Sequence, residues 1–163
     1  MEVQLEHPFE ASPERLLDTF FDEKAIKAKN DALGYRNVRV VALERSEDTA
    51  RLVVQREVQA SAPIPSALKS FHQEWSSIEQ EEHWERGSDG QWQCELRIRV
   101  KGVPVKLRGA MTLQEEGQRT TNCIRLKVDC NVPLMGKKIA RFLAEDSRVK
   151  MDAEYEVLRN QLS

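Results

Sequence analysis

Residues 133–163 read PLMGKKIARFLAEDSRVKMDAEYEVLRNQLS, and this stretch decides the fold because it predicts one long helix. No Gly or Pro interrupts it between Lys137 and Leu162. At about 1.5 Å per residue the helix is ~39 Å long, enough to cross a small domain. Its apolar residues recur on one face at a period of 3.6, namely Ile139, Phe142, Leu143, Ala153 and Val157. We therefore expect a sheet elsewhere in the chain to pack against that face.

Two charged residues interrupt the apolar face of this helix. On a helical wheel, Asp146 and Lys150 point in nearly the same direction as Ile139 and Phe142. One interpretation is a local surface pair, since an acid four residues before a base stabilises an exposed helix by ~0.2–0.5 kcal/mol. The other is that the helix covers a cavity and that the pair forms its polar end, because buried charges need partners. The sequence leaves both interpretations open.

Three alternating segments between Gln91 and Pro133 predict long strands of one antiparallel sheet with an apolar face and a charged face. Every second residue is apolar, apart from Gly109, in three runs: Trp92 to Val100, Val103 to Leu113 and Ile124 to Val132. Gly109 stands among large residues in the middle run, which favours a bend or a close backbone approach. The apolar face is the one that we expect to pack on the helix.

The first third of the chain predicts a strand, two short helices and a hairpin. The first strand ends at Pro8, and Ser12-Pro13 is a typical helix start. A second helix follows Asp22, with Gly34 as its stop. From residue 35 to residue 58 the period becomes two, broken by a turn at residues 46–48, which indicates a pair of strands.

The strand predicted at Glu74–Arg86 differs from the others because each of its faces carries polar groups. If Ile78 and Trp84 point inward, Gln80 and Glu82 point inward with them. Between the hairpin and this strand, two prolines flank Ile64 in a segment that ends in one helical turn at residues 67–71. We interpret Pro63–Phe71 as a mobile rim, and we hypothesise that it gates entry to a cavity.

Length and composition predict a single domain covering residues 1–163. The formal net charge of −2 and the pI of about 6.0 give no reason to expect a nucleic-acid partner. The first residues resemble no signal peptide and no apolar run is long enough to span a membrane, so we expect a cytoplasmic protein. The three cysteines and three histidines lack ligand spacing, so we expect reduced thiols, no metal and no cofactor. Oligomeric state is not predicted.

The order strand, two helices, six strands and long helix resembles the START-like (SRPBCC) helix-grip superfamily. Three features carry the resemblance: Trp84, the hairpin Gly102-Val103-Pro104-Val105, and the junction Val132-Pro133-Leu134-Met135-Gly136-Lys137-Lys138-Ile139. Within the superfamily the chain is similar to an uncharacterised bacterial family with polyketide-cyclase-like and lipid-transfer-like relatives. The resemblance implies an α+β fold in which seven antiparallel strands curve around the C-terminal helix and enclose a ligand cavity. It implies no active-site residue.

On that architecture we expect non-covalent binding of a hydrophobic small molecule such as a lipid or polyketide. The inward positions of sheet and helix form the expected site: Gln80, Glu82, Trp92, Leu96, Ile98, Leu107, Met111, Ile124, Leu126, Phe142, Leu143, Asp146 and Lys150. The alternative is a cyclase or dehydratase-like enzyme in which Glu82, His83 or Asp146 moves a proton. The same apolar residues are also compatible with a filled core.

A second surface stands out on the predicted outer face of the sheet. Basic residues occupy outward positions on three strands that should be neighbours, and we call them the outer basic patch: Arg97, Arg99, Lys101, Lys106, Arg108, Arg125 and Lys127. Such a patch suits anionic headgroups, an acidic partner or RNA, so transient membrane-surface contact is one expectation. It equally suits a solvated face that nearby Glu79, Glu81 and Glu95 neutralise in part.

Overall fold

The computed structural model describes residues 1–163 and contains a seven-stranded antiparallel sheet wrapped around one long helix. The elements follow in the order that the sequence predicts: β1 (Glu2–Phe9), α1 (Pro13–Phe20), α2 (Glu23–Ala32), β2 (Arg36–Arg45), β3 (Thr49–Val58), β4 (Ser76–Arg86), β5 (Trp92–Val100), β6 (Val105–Glu116), β7 (Arg119–Cys130) and α3 (Gly136–Leu162). A single 3₁₀ turn at Ser66–Leu68 lies between β3 and β4. The expected helix-grip architecture is confirmed.

The strand order across the sheet is β1-β7-β6-β5-β4-β3-β2. Strands β2 to β6 each pair with the next strand along the chain, so short turns suffice to connect most of them. The exception is β1, which crosses to the far edge and pairs with β7, with Val3 opposite Leu126. Helices α1 and α2 form the connection that this crossing requires.

The predicted helix boundaries of α1 and α2 are confirmed by their capping groups. Ser12 Oγ accepts a hydrogen bond from the Arg15 backbone N–H at 3.2 Å, and Asp22 Oδ2 accepts one from the Ala25 N–H at 3.0 Å. Each cap satisfies a backbone donor that the first turn of a helix leaves without a partner. Gly34 follows α2 with a φ of 75°, the left-handed conformation that favours glycine.

Helix α3 lies in the curve of the sheet. The buried residues in its first turns include Ile139, Ala140 and Ala144. Phe142, Leu143, Ala153 and Val157, which the helical period placed on the same face, are only half-buried. The helix is therefore fully buried near its start and again at Leu162, and half-buried on this face between them. None of the helices combines the length and apolar character that crossing a membrane requires.

Two glycines allow the backbone to pass where a side chain would not fit. At Gly109 in β6, a Cβ atom would lie 2.6 Å from the Arg125 carbonyl oxygen of β7, which confirms the predicted close approach. At Gly136, the first residue of α3, a Cβ would overlap the Cys130 carbonyl group. Leu134, two residues earlier, has a φ of 66°, a conformation that costs a bulky residue about 1–3 kcal/mol.

Burial follows the predicted alternation in β5, β6 and β7. Their inner side chains join a core of 24 buried residues that also includes Leu16 and Leu17 of α1 and Trp84 of β4.

Strand β7 ends at Cys130 and β4 begins at Ser76, so Val132, Glu74 and Trp75 lie outside the strands that were expected to include them. All three cysteines are free, and burial raises the pKa of the Cys94 thiol.

Candidate functional site

A cavity of about 90 Å³ lies between the half-buried part of α3, the inner face of β3 to β6 and the segment that follows β3. Twelve of its lining residues are hydrophobic. Phe142, Leu143 and Met151 contribute from α3, while Ile64 and Leu68 contribute from the segment between β3 and β4. The cavity is therefore bounded by sheet, helix and rim, and most of its wall is apolar.

The Asp146–Lys150 pair lines this cavity. Lys150 Nζ lies 2.5 Å from Asp146 Oδ2, and the two side chains are only 13% and 14% exposed. Asp146 Oδ1 also accepts hydrogen bonds from the Ser61 backbone N–H at 2.7 Å and from Ser61 Oγ at 2.6 Å. The geometry therefore corresponds to the second interpretation, a polar part of a cavity wall, and it ties α3 to the segment after β3.

A second ion pair, which the sequence analysis did not identify, lies further along the same wall. Arg56 Nη2 of β3 is 2.8 Å from Glu154 Oε1 of α3, and the side chains are 7% and 13% exposed. Arg56 Nη1 donates a hydrogen bond to Asn30 Oδ1 at 3.2 Å, and Asn30 is fully buried. The Arg56 Nε–H is buried without an acceptor. Arg56 therefore lines the cavity wall with its charge paired to an acid on α3.

The electrostatics of this pair favour its charged form. Burial alone would raise the pKa of Glu154, but the charges of Arg56 and Lys29 outweigh that effect and hold the pKa below its usual range. The neighbouring Tyr35 hydroxyl has its pKa raised by burial and by the Glu154 charge. The guanidinium group also lies over an aromatic ring, with Arg56 Cζ 4.9 Å from the Tyr35 ring centroid. Glu154 is therefore a carboxylate, rather than a proton donor, at neutral pH.

A second chamber of about 80 Å³ adjoins the first, toward β1 and the end of α3. Gln80, Met151 and Glu154 line both chambers and form the partition between them. The second chamber contains Asn122, which is 6% exposed and whose Oδ1 has no hydrogen-bond partner. His7 also lines it, with its Nε2 2.8 Å from Asp152 Oδ1.

Glu82 lies in the second chamber and already has two donors. Its carboxylate accepts hydrogen bonds from Gln80 Nε2 at 2.9 Å and from Trp84 Nε1 at 3.0 Å. This explains how the inner face of β4 carries an acid beside the fully buried Trp84 ring. His83, the other proton-transfer candidate on β4, points to the outer face, where its Nε2 lies 3.0 Å from Glu81 Oε1. His83 is therefore outside both chambers.

The structure distributes the thirteen predicted site residues over three locations. Seven line the first cavity: Gln80, Ile98, Leu107, Phe142, Leu143, Asp146 and Lys150. Four line only the second chamber: Glu82, Leu96, Met111 and Ile124. The remaining two, Trp92 and Leu126, lie in the packed core and line neither chamber.

Two sequence signals point to the residues that were missed. Arg56 shares the inner side of β3 with Leu52, Val54 and Val58, so its charge interrupts an apolar alternation. Glu154 comes four residues after Lys150, which continues the charged stripe of α3 by one more turn. Ser61 gives no signal, because its contact with Asp146 joins residues 85 positions apart.

The outer basic patch is exposed and lies on three adjacent strands, as expected. Acidic residues flank it on both sides. Arg97 of β5 is opposite Glu81 of β4, and Lys127 of β7 is opposite Glu2 of β1. Arg99 Nη1 lies 2.9 Å from Glu79 Oε1. The surrounding carboxylates therefore neutralise part of the patch.

Solved structures resemble the chain over nearly its whole length. A protein from Thermus thermophilus has a TM-score of 0.61 at 16% identity, covering 99% of this chain and 97% of that one. A STAR-related lipid transfer protein from Xanthomonas axonopodis has a TM-score of 0.61 at 12% identity, covering 99% and 85%. A START superfamily protein from Mycobacterium smegmatis has a TM-score of 0.54 at 14% identity, covering 99% and 96%.

At these identities the likeness shows the fold alone, and it confirms the START-like architecture. No curated protein matches the chain significantly. A family model described as "Protein of unknown function (DUF2505)" matches residues 4–162, and the chain therefore belongs to the DUF2505 family.

Proposed function

We propose that the chain binds a hydrophobic small molecule non-covalently in the cavity between the sheet and α3. The observation that carries the proposal is the wall of that cavity, which is mostly apolar and has two ion pairs on one side. Small-molecule sites in proteins have this composition, with apolar walls that supply affinity and a few polar groups that orient the ligand.

Two cationic side chains in the cavity wall support a more specific ligand. Arg56 and Lys150 both line the cavity, and a ligand with hydrogen-bond acceptors would interact favourably with either charge. Carboxylate, hydroxyl or carbonyl oxygens are such acceptors. We therefore favour an amphipathic molecule, such as a fatty acid or another lipid or a polyketide, with its polar end toward Arg56 and Lys150.

The size of the cavity limits what fits without a change of shape. A cavity volume of about 90 Å³ is well below the roughly 300–1,000 Å³ of sites for drug-sized ligands. A lipid would therefore require the rim to move outward. Ala60, Ile64 and Leu68 line the cavity from the segment between β3 and β4, and the Ser61–Asp146 hydrogen bonds hold this segment to α3.

The first experiment is native mass spectrometry of protein purified without detergent, followed by organic extraction of any bound compound. The expected result is a mass above that of the chain and an extracted lipid or polyketide. Protein without an adduct is then titrated with the fluorescent hydrophobic probe N-phenyl-1-naphthylamine, which reports weaker binding that purification would lose.

Two tryptophan substitutions on α3 locate the binding. Ser147→Trp places a large ring at the cavity wall, and Val149→Trp places the same ring on the exposed side of the helix. We expect Ser147→Trp to weaken probe binding by at least about tenfold, because it removes the space, and Val149→Trp to leave it unchanged. Equal binding by wild type and Ser147→Trp would contradict the proposed location.

A further inference from the structure

Three segments meet at the end of the molecule where the cavity lies. They are residues 59–73 after β3, residues 100–106 around the β5–β6 turn, and residues 131–141 at the start of α3, and together we call them the cavity rim. They pack on one another through a small apolar cluster in which Leu68, Ile139 and Val103 take part. The cavity rim is therefore one continuous surface, although its segments are far apart in the sequence.

The cavity rim is strongly basic although the protein has a formal net charge of −2. Residues 59–73, 96–114 and 130–144 contain no Asp or Glu, so all 27 acidic residues lie elsewhere. The exposed charged side chains of the rim are all cationic, namely Lys69, Lys101, Lys106, Lys137, Lys138 and Arg141. The nearest strand position with an acid is Asp129, opposite Lys106. Lys101 and Lys106 also belong to the outer basic patch, whose strand residues lie beside Glu2, Glu79 and Glu81, whereas the segments of the rim itself carry no carboxylate.

One aliphatic side chain projects into solvent among these cationic residues. Leu134 is fully exposed, and its φ of 66° is a conformation that bulky residues rarely adopt. The loop cannot relax inward easily, because Gly136 packs directly against the Cys130 carbonyl and its N–H donates to the Val132 carbonyl at 2.8 Å. The backbone therefore holds Leu134 in solvent between Pro133 and the lysines of the first turn of α3.

We propose that the cavity rim docks on the anionic surface of a lipid bilayer, with Leu134 entering the interfacial layer and the surrounding lysines contacting headgroups. Aliphatic side chains between lysines are the features that attach proteins to such interfaces. A surface for single-stranded nucleic acid would instead present exposed aromatic rings for stacking, and Leu134 offers neither stacking nor a hydrogen bond. An acidic protein partner could use the lysines but would not explain a leucine held in solvent.

Docking in this orientation places the cavity next to the bilayer. Ile64, Leu68 and Val103 belong both to the cavity lining and to the cavity rim. A hydrophobic ligand could thus pass between membrane and cavity with little exposure to water. Docking requires only Leu134 and the exposed lysines of the cavity rim. It can therefore be tested independently of the proposed ligand binding.

The test is flotation of the full chain with vesicles of phosphatidylcholine mixed with anionic phosphatidylglycerol, compared with vesicles of phosphatidylcholine alone. We expect binding only to the anionic vesicles, weakening as salt is added. Lys137→Glu/Lys138→Glu should weaken binding by about 100-fold or more, since each basic residue near an anionic surface contributes substantially to attraction. Leu134→Asp should weaken it by about tenfold or more, through lost burial and added repulsion.

Two charge-matched controls separate the cavity rim from other surfaces. Lys24→Glu/Lys27→Glu makes the same change in net charge on α2, whose Ala25 carbonyl contacts Gln161 near the far end of α3. Arg97→Glu/Arg108→Glu makes it on the outer basic patch. All variants are first checked by thermal unfolding, which exposed substitutions should leave unchanged.

Both controls are expected to retain most of the vesicle binding. Equal losses in the three charge-reversed variants would show an effect of net charge and overturn the proposal. A loss confined to Arg97→Glu/Arg108→Glu would assign docking to the outer face and also overturn it. Wild-type protein that ignores anionic vesicles but binds polyuridylic acid through Lys137 and Lys138 would identify a nucleic-acid surface instead.

Discussion

Two parts of the same sheet face α3 and differ in their chemistry. The inner faces of β6 and β7 are apolar along most of their length and closely packed, with Leu113, Leu126 and Val128 nearly or fully buried. The inner faces of β3 and β4 instead carry the polar residues Arg56, Gln80 and Glu82, which line the two chambers. Charged groups at such positions add little stability compared with apolar residues of similar size.

The difference in side-chain chemistry depends on what each part of the sheet faces. The inner face is apolar where it packs on α3 and partly polar where it faces the chambers. Strand β7 packs on α3 with the buried apolar residues Leu126 and Val128, and only its earlier part, with Asn122 and Ile124, faces the second chamber. Strands β3 and β4 face the two chambers, whose walls place Arg56 against Glu154 and Gln80 against Glu82. The packed region accounts for the stability of the fold, and the polar region marks the part of the sheet that is available for binding.

Removing one member of the buried ion pair should have the largest effect. Arg56→Met leaves the Glu154 carboxylate mostly buried without its partner, so we expect the free energy of unfolding to fall by ~3–5 kcal/mol. Urea unfolding measures this change. The double variant Arg56→Met/Glu154→Met should recover most of the loss, because it leaves no unpaired charge. A double variant as unstable as the single one would show that the pair is not the cause.

A leucine-to-alanine change in the packed region should be almost as destabilising but should not affect binding. Leu126→Ala creates a void in a fully buried position, and we expect a loss of ~2–5 kcal/mol with unchanged affinity for N-phenyl-1-naphthylamine. Leu107→Ala on the adjacent strand is the matched variant, because Leu107 lines the cavity. It should change the affinity for the probe. If Leu126→Ala changes that affinity as much, the two regions are not separate.

The pH dependence of stability should depend on Glu154. Its pKa in the folded chain lies below the ordinary value of 4.5, so the ionised carboxylate stabilises the fold above that pH. This stabilisation is lost as the pH falls through the folded pKa. The reason is that the Glu154 carboxyl group has a higher pKa in the unfolded chain and takes up its proton there at a higher pH. The stability difference between wild type and Glu154→Gln should therefore shrink on acidification in urea unfolding at a series of pH values.

Glu156→Gln is the control for that series. Glu156 is exposed on the same helix and pairs with the exposed Arg159. We expect it to change the pH profile little, because solvent screens exposed pairs. A Glu154→Gln profile that runs parallel to that of wild type at all pH values would contradict the lowered pKa.

The smallest expected effect concerns the segment between β3 and β4 that lines the first cavity. Asp146→Ala removes the acceptor of both Ser61 hydrogen bonds, so the free energy of local opening should fall by about 1 kcal/mol. Hydrogen exchange of residues 59–72 should accelerate while β7 stays protected. Glu145→Ala changes the neighbouring, exposed position and should leave this exchange unchanged. Equal exchange in wild type and Asp146→Ala would argue against Asp146 as the anchor of the rim.

The packed region could be predicted from sequence because it obeys simple periods. Alternation of apolar and charged residues identified β5, β6 and β7, and the absence of Gly and Pro identified α3. Ser12 and Asp22 marked the helix starts because caps are local in the sequence. These signals depend on neighbours along the chain, which a sequence displays directly.

The polar region was only partly predictable, because its partners come from distant elements. Gln80 and Glu82 were expected to point inward. Arg56 was missed because both faces of β3 carry charged residues, with Arg51 and Glu57 on one face and Arg56 on the other. Val53, on the opposite side of that strand, is also buried, which obscures its sidedness. The cavity volume depends on how far α3 stands from the sheet, and no local pattern records that distance.

The pairing of β1 with β7 also bears on the order in which the molecule folds. Strands β2 to β7 are built from successive hairpins, which form quickly because their partners are close in the chain. Strand β1 must wait for a partner more than a hundred residues away, and α3 comes after that partner. During synthesis α3 leaves the ribosome after the seven strands, so the sheet cannot bury its apolar face against α3 until then. The chambers, which α3 helps to line, therefore form only after all seven strands have been made.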